Sequence, residues 1–577
     1  MPPISKRLVI TCRLLLFLLF AFIKPFALFS QTTQHYNVLF IIVDDMNEKA
    51  GMFGYPAVLT PNLQRLARRG VVFRKAYTQF PLCNPSRTSL LSGWRPDKTG
   101  IYDNKTSPRS KMGQQVKFLP EYFGVYGYHT ERVGKVMHGG FQDEIAWNYS
   151  DKTRSDDFSS ESDLGSWWVT NLQDSKTING IYAGAMVKRM QLQPAQPFFL
   201  ALGLTVHSPF TPSLKYWNMY GEPSVQQLLP INNKGDKGTL KGNGSGNIVL
   251  PDTPPNDRKD APGAAFPSQI LKTTTDWQNT RHAYFAEVTE MDAQLGTVLD
   301  EMDRQNLWQN TVVVFVSDHG QHLGEHEGLW GKNTLFEESD LAPLIVCVPG
   351  KKAGVSDALV EFVDIYPSLA EICSLPAPSG MEGSSFAKVI DNVSTPWKRA
   401  VFTQVTRAST IGRSASTGQY RYNSWGRVGE ELYDHATDPF EYTNLAENKA
   451  YSTQLNTMRT ILNEGWTKSL PPGAGVASFA INNSYVTKPA IQSQISVKIF
   501  PNPSTGNIIV SLDNQHAGIV AITVYDNAGK SVFKTTHLLN EGSNTINLQL
   551  SSLAAGIYTL DLKHKDFNQT INLLIKK

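Results

Sequence analysis

The sequence has few cysteines and almost no excess of either charge. Four cysteines occur in 577 residues, and Cys12 lies in an N-terminal segment with the features of an export signal. The other three are too few for a disulfide framework, so a hydrophobic core must stabilise the exported chain. The net charge is +3, and no run of Lys and Arg is long enough to follow a phosphate backbone. We therefore expect a globular protein that does not act on nucleic acid.

The first 30 residues predict a signal peptide. Basic residues precede an apolar run at residues 14–22, and Ser30 offers a small-residue cleavage point. The alternative is a membrane anchor, but Lys24 and Pro25 interrupt the run, which is shorter than the ~20 apolar residues that a span needs. We expect a mature chain from about residue 31 with no transmembrane span.

The length of the chain predicts more than one folding unit, because a single core rarely organises 577 residues. Shorter apolar runs separated by Gly, Ser and Thr begin near residue 379, and a stretch rich in Pro, Gly, Ala, Ser and Asn follows residue 470. The last part alternates strand patterns with Asn, Gly and Ser turns. We predict an α/β domain at residues 31–378, an antiparallel subdomain at 379–470, a linker at 471–494 and an all-β sandwich at 495–577.

Three continuous apolar runs have the pattern of strands that are buried on both faces of a parallel sheet. They lie at residues 37–43, 198–202 and 311–316, with helical patterns between them. This alternation predicts an α/β fold with a large, mostly parallel sheet flanked by helices. Ligands of such sheets bind beyond the carboxyl ends of the strands. Polar residues follow all three runs at that position: Asp44, Asp45, His207, Asp318 and His319.

The remaining motifs connect these strand ends to a family. The run CNPSRT at residues 83–88, followed by LLSG at 90–93, matches the sulfatase signature Cys-x-Pro-Ser-Arg. GKVMH at 134–138 matches the Gly-Lys-x-x-His element, and SDHG at 317–320 opens the second long signature. On these motifs the chain resembles the sulfatases of the alkaline phosphatase superfamily, in particular the iduronate-2-sulfatase-like branch. The resemblance implies their α/β fold and a hydrolase of sulfate esters.

The resemblance also implies a modified residue and a cation. In the family, a maturation enzyme oxidises the signature cysteine, here Cys83, to formylglycine. The aldehyde hydrate has two hydroxyls on one carbon, so one can attack sulfur while the other later drives the expulsion of sulfate. A divalent cation lowers the pKa of the hydrate and offsets charge on the sulfuryl oxygens. The resemblance assigns this ion, usually Ca²⁺, to Asp44, Asp45, Asp318 and His319 with the modified Cys83. Three carboxylates suit a hard cation, whereas a histidine is a softer donor than calcium prefers.

The other catalytic roles are carried over position by position. Arg87 lies one helical turn beyond Cys83, where its fork can hold the hydrate oxygens. The family pattern implies that Lys135 and Lys332 bind sulfate and that His138 contacts the hydroxyl of the nucleophile. His322 and His326 fall in the second signature without an assigned role, and supporting hydrogen bonds are the simpler interpretation.

His207 is expected to contact sulfate or to protonate the leaving alcohol. Thr205 and Val206 stand where related sulfatases carry Lys-Pro, so the neighbouring substrate contacts are expected to differ. Specificity is expected from loops around the mouth of the pocket at residues 106–115, 211–217 and 407–421. Resemblance to iduronate-2-sulfatase suggests a sugar that bears, or lies next to, a uronic acid.

Cys347 and Cys373 differ from Cys83 in their surroundings. Cys347 lies in an apolar run at residues 344–348, and Cys373 lies in a helix-like segment. Both therefore resemble small buried hydrophobic residues rather than reactive thiols. A disulfide between the two is left open by the sequence.

The C-terminal domain carries a second resemblance. PNP at residues 501–503, Gly506, GIY at 556–558 and the two final lysines resemble the sorting domain of the type IX secretion pathway. This implies export across the outer membrane by that machinery, to the medium or the cell surface. The alternative is a carbohydrate-binding sandwich, but few aromatic residues of this domain offer a stacking platform.

Three functions remain open from the sequence. The first is a sulfatase of a sulfated polysaccharide or its oligosaccharides, algal or glycosaminoglycan-like. The second is a phosphoesterase or phosphonate hydrolase of the same superfamily, because the same aldehyde and cation can serve phosphorus. The third is an inactive surface protein that binds sulfated glycans, which gains force if Cys83 is never matured.

Overall fold

A computed structural model describes residues 35–50, 53, 57–151, 166–192, 194, 196–220, 251, 253–255, 257–267, 274–472, 497–514, 517–526, 530–564 and 568–576. The expected signal peptide at residues 1–30 lies outside these residues, as does all but the start of the expected linker at 471–494. The chain divides into two compact units, Met1–Phe479 and Ala480–Lys577. Among the helices described, none is both long and apolar enough to cross a membrane.

The first unit is built on one large sheet, with two short strand pairs and a smaller sheet beside it. Its described strands are, in chain order, β1 (Asn37–Asp44), β2 (Val71–Phe73), β3 (Ala76–Tyr77), β4 (His129–Gly134), β5 (Tyr149–Ser150), β6 (Phe198–Thr205), β7 (Thr311–Ser317), β8 (His322–Leu323), β9 (Trp330–Gly331), β10 (Leu344–Cys347), β11 (Gly354–Ser356), β12 (Val360–Glu361), β13 (Val401–Arg407), β14 (Thr410–Ser416), β15 (Tyr420–Ser424) and β16 (Glu430–Asp434).

The large sheet has eight strands in the order β11-β2-β10-β7-β1-β6-β4-β5. Only β10 runs antiparallel to its neighbours β2 and β7, and every other pairing is parallel. The sequence prediction of a large, mostly parallel sheet is therefore confirmed. The central strands β6, β1 and β7 are paired in register along their lengths, so their carboxyl ends meet at one edge of the sheet.

Helices cover both faces of this sheet. Apart from the irregular turn Glu325–Gly328, whose His326 and Glu327 have positive φ, the α-helices described in the first unit are α1 (Pro61–Ala67), α2 (Cys83–Ser92), α3 (Pro96–Thr99), α4 (Pro108–Met112), α5 (Leu119–Val125), α6 (Ile178–Leu192), α7 (Leu214–Trp217), α8 (Thr274–Arg304), α9 (Glu337–Asp340), α10 (Ile365–Ile372), α11 (Ala387–Asp391) and α12 (Ser452–Glu464). The amphipathic pattern that the sequence shows at residues 287–302 is the second half of the long helix α8.

Alternate side chains of the central strands pack into two separate cores. Ile41 and Phe315 lie in the core on one face, which α1, α6 and α8 cover. Phe40 and Val314 lie in the core on the other face, which α2, α5 and α10 cover. Both faces are apolar because both are covered, which is why the strands read as continuous apolar runs.

The smaller sheet has the antiparallel order β13-β14-β15-β16, and α12 packs against it through Leu455, Met458 and Ile461. This is the small antiparallel subdomain expected from the sequence. Its first strand lies along the chain that leads to α2, because Thr403 Oγ1 donates a hydrogen bond to the Thr78 carbonyl (2.7 Å) and the Gln404 amide donates to the Gln79 carbonyl (3.0 Å). The subdomain thus contributes to the surroundings of Cys83.

The second unit is all-β. Its described strands are β17 (Val497–Phe500), β18 (Asn507–Asn514), β19 (Gly518–Tyr525), β20 (Ser531–Leu539), β21 (Gly542–Gln549), β22 (Gly556–Lys563) and β23 (Asn568–Ile575). They form a three-stranded sheet β17-β18-β21 and a four-stranded sheet β20-β19-β22-β23, both antiparallel. Val510, Ile522 and Leu560 lie in the shared core, as expected for a sandwich.

The structure shows that Cys347 and Cys373 do not form a disulfide. Cys347 packs in the core on one face of the large sheet and Cys373 in the core on the other, and both are buried free thiols. Burial raises the pKa of each thiol to about 12. They are not paired with each other, and neither is a reactive thiolate at neutral pH.

Candidate active site

The turn after β1 carries two adjacent carboxylates. Asp44 ends the strand, and Asp45 follows in the left-handed region with φ 63°, so the two side chains diverge. Tyr284 of α8 holds this turn, because its hydroxyl donates to the Asp45 carbonyl (3.0 Å) and accepts from the Asn47 amide (2.9 Å). The Asp45 amide donates to Asp318 Oδ1 at 3.1 Å, which ties the end of β1 to the end of β7.

Cys83 is the first residue of α2 and is buried. The Asn84 side chain fixes the entry to the helix by donating hydrogen bonds to the carbonyls of Asp103 (2.8 Å) and Thr106 (2.9 Å). Ser86 donates from its hydroxyl to the Asp318 carbonyl. These contacts aim the start of α2 at the carboxyl ends of β1 and β7.

Arg87 is enclosed by the acidic strand ends. Its Nη2 donates to Asp44 Oδ1 at 2.9 Å and its Nε donates to Asp318 Oδ2 at 2.8 Å, while Nη1 donates to the carbonyls of Lys135 and Val136. The guanidinium is completely buried. The sequence suggested that this fork would hold the nucleophile, whereas its hydrogen bonds go to two carboxylates and fix their positions.

Lys135 and His138 come from the loop that follows β4. Lys135 Nζ donates to Asp44 Oδ2 at 2.6 Å, and His138 lies within hydrogen-bonding reach of Cys83. The loop approaches β6 closely at Gly203, where a Cβ atom would stand 2.2 Å from the Lys135 carbonyl. Glycine at this position of β6 therefore allows Lys135 to enter the site.

Three further side chains surround the thiol of Cys83. Lys332 Nζ is 3.2 Å from Sγ and also donates to Asp45 Oδ1. His319 Nε2 is 3.4 Å from Sγ, and His207 contacts Cys83 while its Nε2 lies 3.6 Å from Asp45 Oδ2. The structure therefore brings together all ten residues that the sequence assigned to the site: Asp44, Asp45, Cys83, Arg87, Lys135, His138, His207, Asp318, His319 and Lys332.

The charges around Cys83 favour an anion at its side chain. Burial raises the pKa of a thiol, but the cations of Lys332 and Lys135 outweigh burial and hold the pKa of Cys83 well below its usual value. Burial lowers the pKa of the two histidines, yet the Asp45 carboxylate raises the pKa of His207, and Asp318 raises the pKa of His319 to about 9. An anionic oxygen or sulfur at position 83 is thus stabilised by the protein.

The acidic groups also meet the requirements of a cation site. Asp44, Asp45, Cys83 and His207 form one set of donors, and Cys83, Asp318 and His319 form another; within each set the donor atoms lie within 4.8 Å of one another. Cys83 belongs to both sets, so they surround one position. Three carboxylates fit a hard divalent cation such as Ca²⁺. His207 belongs to the first set, although the family pattern implies only a catalytic role for it.

The two other histidines of the second signature lie outside this cluster. His322 Nε2 meets the Thr334 hydroxyl at 2.7 Å, and His326 Nδ1 meets Asp257 Oδ2 at 2.8 Å. His326 also stacks on Phe336 at 4.1 Å between ring centroids. Both support the surrounding loops, in agreement with the simpler interpretation of the sequence.

Sequence reasoning missed two residues beside the site. Tyr284 supports the Asp45 turn from a helix more than 200 positions away, and its only sequence signal is an apolar periodicity. Arg407 ends β13 and contacts the residue after Lys332. The sequence marks Arg407 only as the first residue of the expected loop at 407–421, because a lone arginine in a strand carries no motif.

The sheet, the paired donor sets and the enclosed cysteine define a hydrolase with the alkaline-phosphatase-like α/β fold. Family models agree: the sulfatase model matches residues 36–374, the C-terminal model of N-sulphoglucosamine sulphohydrolase matches 324–468, and the secretion system C-terminal sorting domain matches 498–577. A sulfatase of Formosa agariphila is 31% identical over 462 residues, which cover 74% of this chain and 86% of that protein.

The mouse iduronate 2-sulfatase is 29% identical over 535 residues, covering 74% of this chain and 94% of that enzyme. Among solved structures, BT1596, a 2-O GAG sulfatase, has a similar fold with a TM-score of 0.59 and 23% identity, covering 75% of this chain and 92% of that one. The chain belongs to the sulfatase family and is a sulfuric ester hydrolase. Its C-terminal unit is a type IX secretion sorting domain, which directs the protein to the cell surface or the medium.

Proposed function

We propose that the protein removes sulfate esters from a sulfated polysaccharide, or from oligosaccharides derived from it, outside the cell. The glycan is algal or glycosaminoglycan-like and includes a uronic acid at or next to the sulfated ring. The similarity to an iduronate 2-sulfatase supports a sugar sulfate, and the sorting domain supports an extracellular substrate. The reaction uses formylglycine at position 83, formed from Cys83 by a maturation enzyme.

One observation carries this proposal: the side chain of residue 83 is the point where the acidic and basic groups of the site converge. Lys332 Nζ lies 3.2 Å and His319 Nε2 lies 3.4 Å from Cys83 Sγ, and Asp45 Oδ1 lies 3.8 Å from it. No thiol chemistry requires three carboxylates around it. A hydrolytic nucleophile beside a cation does, because the cation must be held while the nucleophile stays anionic.

Each residue has a role that follows from its contacts. Lys332 and Lys135 offer ammonium donors to the sulfate oxygens, since both also pair with the carboxylates that fix them. His138 accepts or donates a hydrogen bond at the hydroxyl of residue 83. Arg87 keeps Asp44 and Asp318 in place and prevents their mutual repulsion from opening the site.

His207 is the proton donor to the leaving alcohol. It lies on the exposed side of the cluster, is only partly buried, and has a raised pKa because Asp45 faces it. A cationic imidazole at this position can transfer its proton to the oxygen of the leaving alcohol as the bond between that oxygen and sulfur breaks.

Two groups complete the chemistry. Formylglycine at position 83 supplies, as its hydrate, one hydroxyl that attacks sulfur and a second whose deprotonation expels the sulfate. Asp44, Asp45, Asp318, His319 and residue 83 would hold a Ca²⁺ ion, which would lower the pKa of the hydroxyl and offset charge on the sulfate.

The test compares an aryl sulfate with the matching aryl phosphate, using full-length protein whose residue 83 has been characterised by peptide mass spectrometry. We expect the aldehyde mass and a kcat/KM for sulfate that exceeds the value for phosphate. A preference for phosphate would instead favour a phosphoesterase or phosphonate hydrolase. An intact thiol in protein secreted by its native host, with sulfated glycan bound but not hydrolysed, would favour a binding protein.

A further inference from the structure

Arg407 lies where the antiparallel subdomain meets the active site. It is the last residue of β13, the strand that is hydrogen bonded to the backbone of Thr78 and Gln79. That backbone leads directly to Cys83. The strand β13 is therefore tied to the segment that leads into α2.

The guanidinium of Arg407 contacts the loop that carries Lys332. Its Nη2 donates to the carbonyl of Asn333, and its Nη1 donates to the Thr406 carbonyl at 3.0 Å. Asn333 has φ 69°, so the chain turns sharply directly after Lys332. Arg407 is thus anchored one residue beyond the lysine whose Nζ is 3.2 Å from Cys83 Sγ.

The positive charge of Arg407 faces an aromatic ring instead of an acid, because its guanidinium carbon lies 5.8 Å from the centroid of Trp425. Among the described residues no carboxylate lies within 4.0 Å of it, and its Nε is buried without a hydrogen-bond partner. Burial lowers the pKa of this guanidinium to about 10, and no neighbouring acid offsets the shift. A half-buried cation with a free donor is costly unless an anion binds to it.

Two other arginines of the same sheet have the acidic partners that Arg407 lacks. The buried Arg421 makes a two-pronged contact with Asp340 and a further ion pair with Glu441. The exposed Arg413 pairs with Asp97 at 2.8 Å. Arg407 alone of these three has its polar partners limited to two backbone carbonyls, although it is the one beside the active site.

We propose that Arg407 binds a second anionic group of the substrate, a carboxylate or a further sulfate next to the sulfate that is hydrolysed. The inference rests on the proposed function and assigns a residue to the second negative charge of its substrate. A guanidinium fork suits both groups, since each presents two or three oxygens that accept parallel hydrogen bonds. Anchoring on the Asn333 carbonyl orients the fork, so the second anion is expected at a fixed distance from the first.

The experiment measures kcat/KM for wild type and Arg407→Met on four sulfate esters. Three are monosaccharide sulfates with a further carboxylate, with a further sulfate or with neither, and the fourth is an uncharged aryl sulfate. We expect wild type to prefer one of the doubly charged sugars by about 10- to 100-fold, the range of a charge-assisted hydrogen bond. Arg407→Met is expected to remove this preference and to lower turnover of the aryl sulfate, which lacks a second anion, by a smaller factor than turnover of the preferred sugar. The doubly charged sugar with the higher kcat/KM identifies the second anionic group as a carboxylate or a sulfate.

Controls separate recognition from folding and from catalysis. Arg413→Gln, which changes an exposed arginine of the same sheet, is expected to keep the preference. Arg407→Lys keeps the charge and is expected to retain part of it. Equal loss on all four substrates would make Arg407 structural and overturn the proposal, as would a wild type with no preference among the sugars.

A binding measurement covers the case in which no sulfate ester is hydrolysed. Calorimetry on the Cys83→Ala protein compares the disulfated and monosulfated monosaccharides, with and without Arg407→Met. A preference for the disulfated sugar that depends on Arg407 supports the second-anion site even if the proposed reaction fails. Equal affinity for both sugars contradicts the site whatever the fate of the reaction.

Discussion

Two buried ionic clusters of the first unit use the same residue types and differ in how tightly they are closed. At Arg421, the guanidinium lies 2.6 and 3.0 Å from the two oxygens of Asp340 and 2.5 Å from Glu441. At Cys83, Asp45 faces His319 at 3.5 Å, His207 at 3.6 Å and the thiol at 3.8 Å. The first cluster satisfies its charges internally. The second cluster pairs its carboxylates with Arg87, Lys135 and Lys332, but the contacts of Asp45 with the two histidines and the thiol are longer than hydrogen bonds and suit a shared cation.

This difference separates stability from function. A closed network gains hydrogen bonds that compensate the cost of burying its charges, and removing one partner leaves the others unpaired. An open network is completed only by what binds to it, so its loss is expected to affect binding and reaction more than folding. Substitutions in the closed cluster should therefore lower stability more than activity, and substitutions in the open cluster should lower activity more than stability.

The largest effect is expected from Cys83→Ala. Without the side chain that we propose as the nucleophile, kcat for sulfate ester hydrolysis should fall by about 10³-fold or more. The thermal unfolding midpoint should change little, because the side chain makes no contact on which the core depends. Cys347→Ala is the matched control, since it removes a buried thiol outside the site and should leave kcat unchanged. Full activity in Cys83→Ala would contradict the assignment of the nucleophile to the open cluster.

The next effect is expected from Asp340→Asn in the closed cluster. Loss of this carboxylate removes the two-pronged partner of Arg421 and should lower the free energy of unfolding by about 3 to 5 kcal/mol. Urea unfolding followed by tryptophan fluorescence measures the change. The kcat of the folded fraction should stay within about threefold. A large fall in kcat with unchanged stability would mean that the two clusters are not functionally distinct.

How far the sequence reveals these clusters depends on the range of their contacts. The ends of β1, β6 and β7 were predictable because continuous apolar runs mark buried parallel strands, and polar residues directly follow them. The start of α2 was predictable from the motif at Cys83. The resemblance to the sulfatase motifs then predicted the remaining residues of the open cluster.

The contacts that position the side chains of the site were not predictable. Arg87 was expected at the nucleophile from helical spacing, yet its fork is taken up by Asp44 and Asp318, which approach from two different strands. Tyr284 and Arg407 reach the site from distant elements and have no pattern of their own. The closed cluster around Arg421 was not predictable for the same reason. Its members come from three separate elements, namely α9, β15 and the segment after β16.

Removal of the proposed divalent cation is expected to have a smaller effect on stability than Asp340→Asn. An ion at about 100 times its Kd stabilises the folded state by about 3 kcal/mol, so a chelator should lower the unfolding midpoint and abolish hydrolysis. Added Ca²⁺ should reverse both changes. In Asp45→Asn, which lacks one of the donors, the chelator should shift the midpoint less. A chelator effect on the midpoint that is the same in both proteins would place the ion elsewhere.

The smallest effect is expected from Arg413→Gln, which tests whether burial explains the comparison. Arg413 pairs with Asp97 at 2.8 Å, a distance similar to those at Arg421, but the two side chains are 43% and 51% exposed. Water already solvates both charges, so the pair should contribute less than about 1 kcal/mol to the free energy of unfolding. Urea unfolding under the conditions used for Asp340→Asn gives the direct comparison. If both substitutions cost the same, then the number of ion pairs matters rather than their burial, and the closed cluster has no special role in stability.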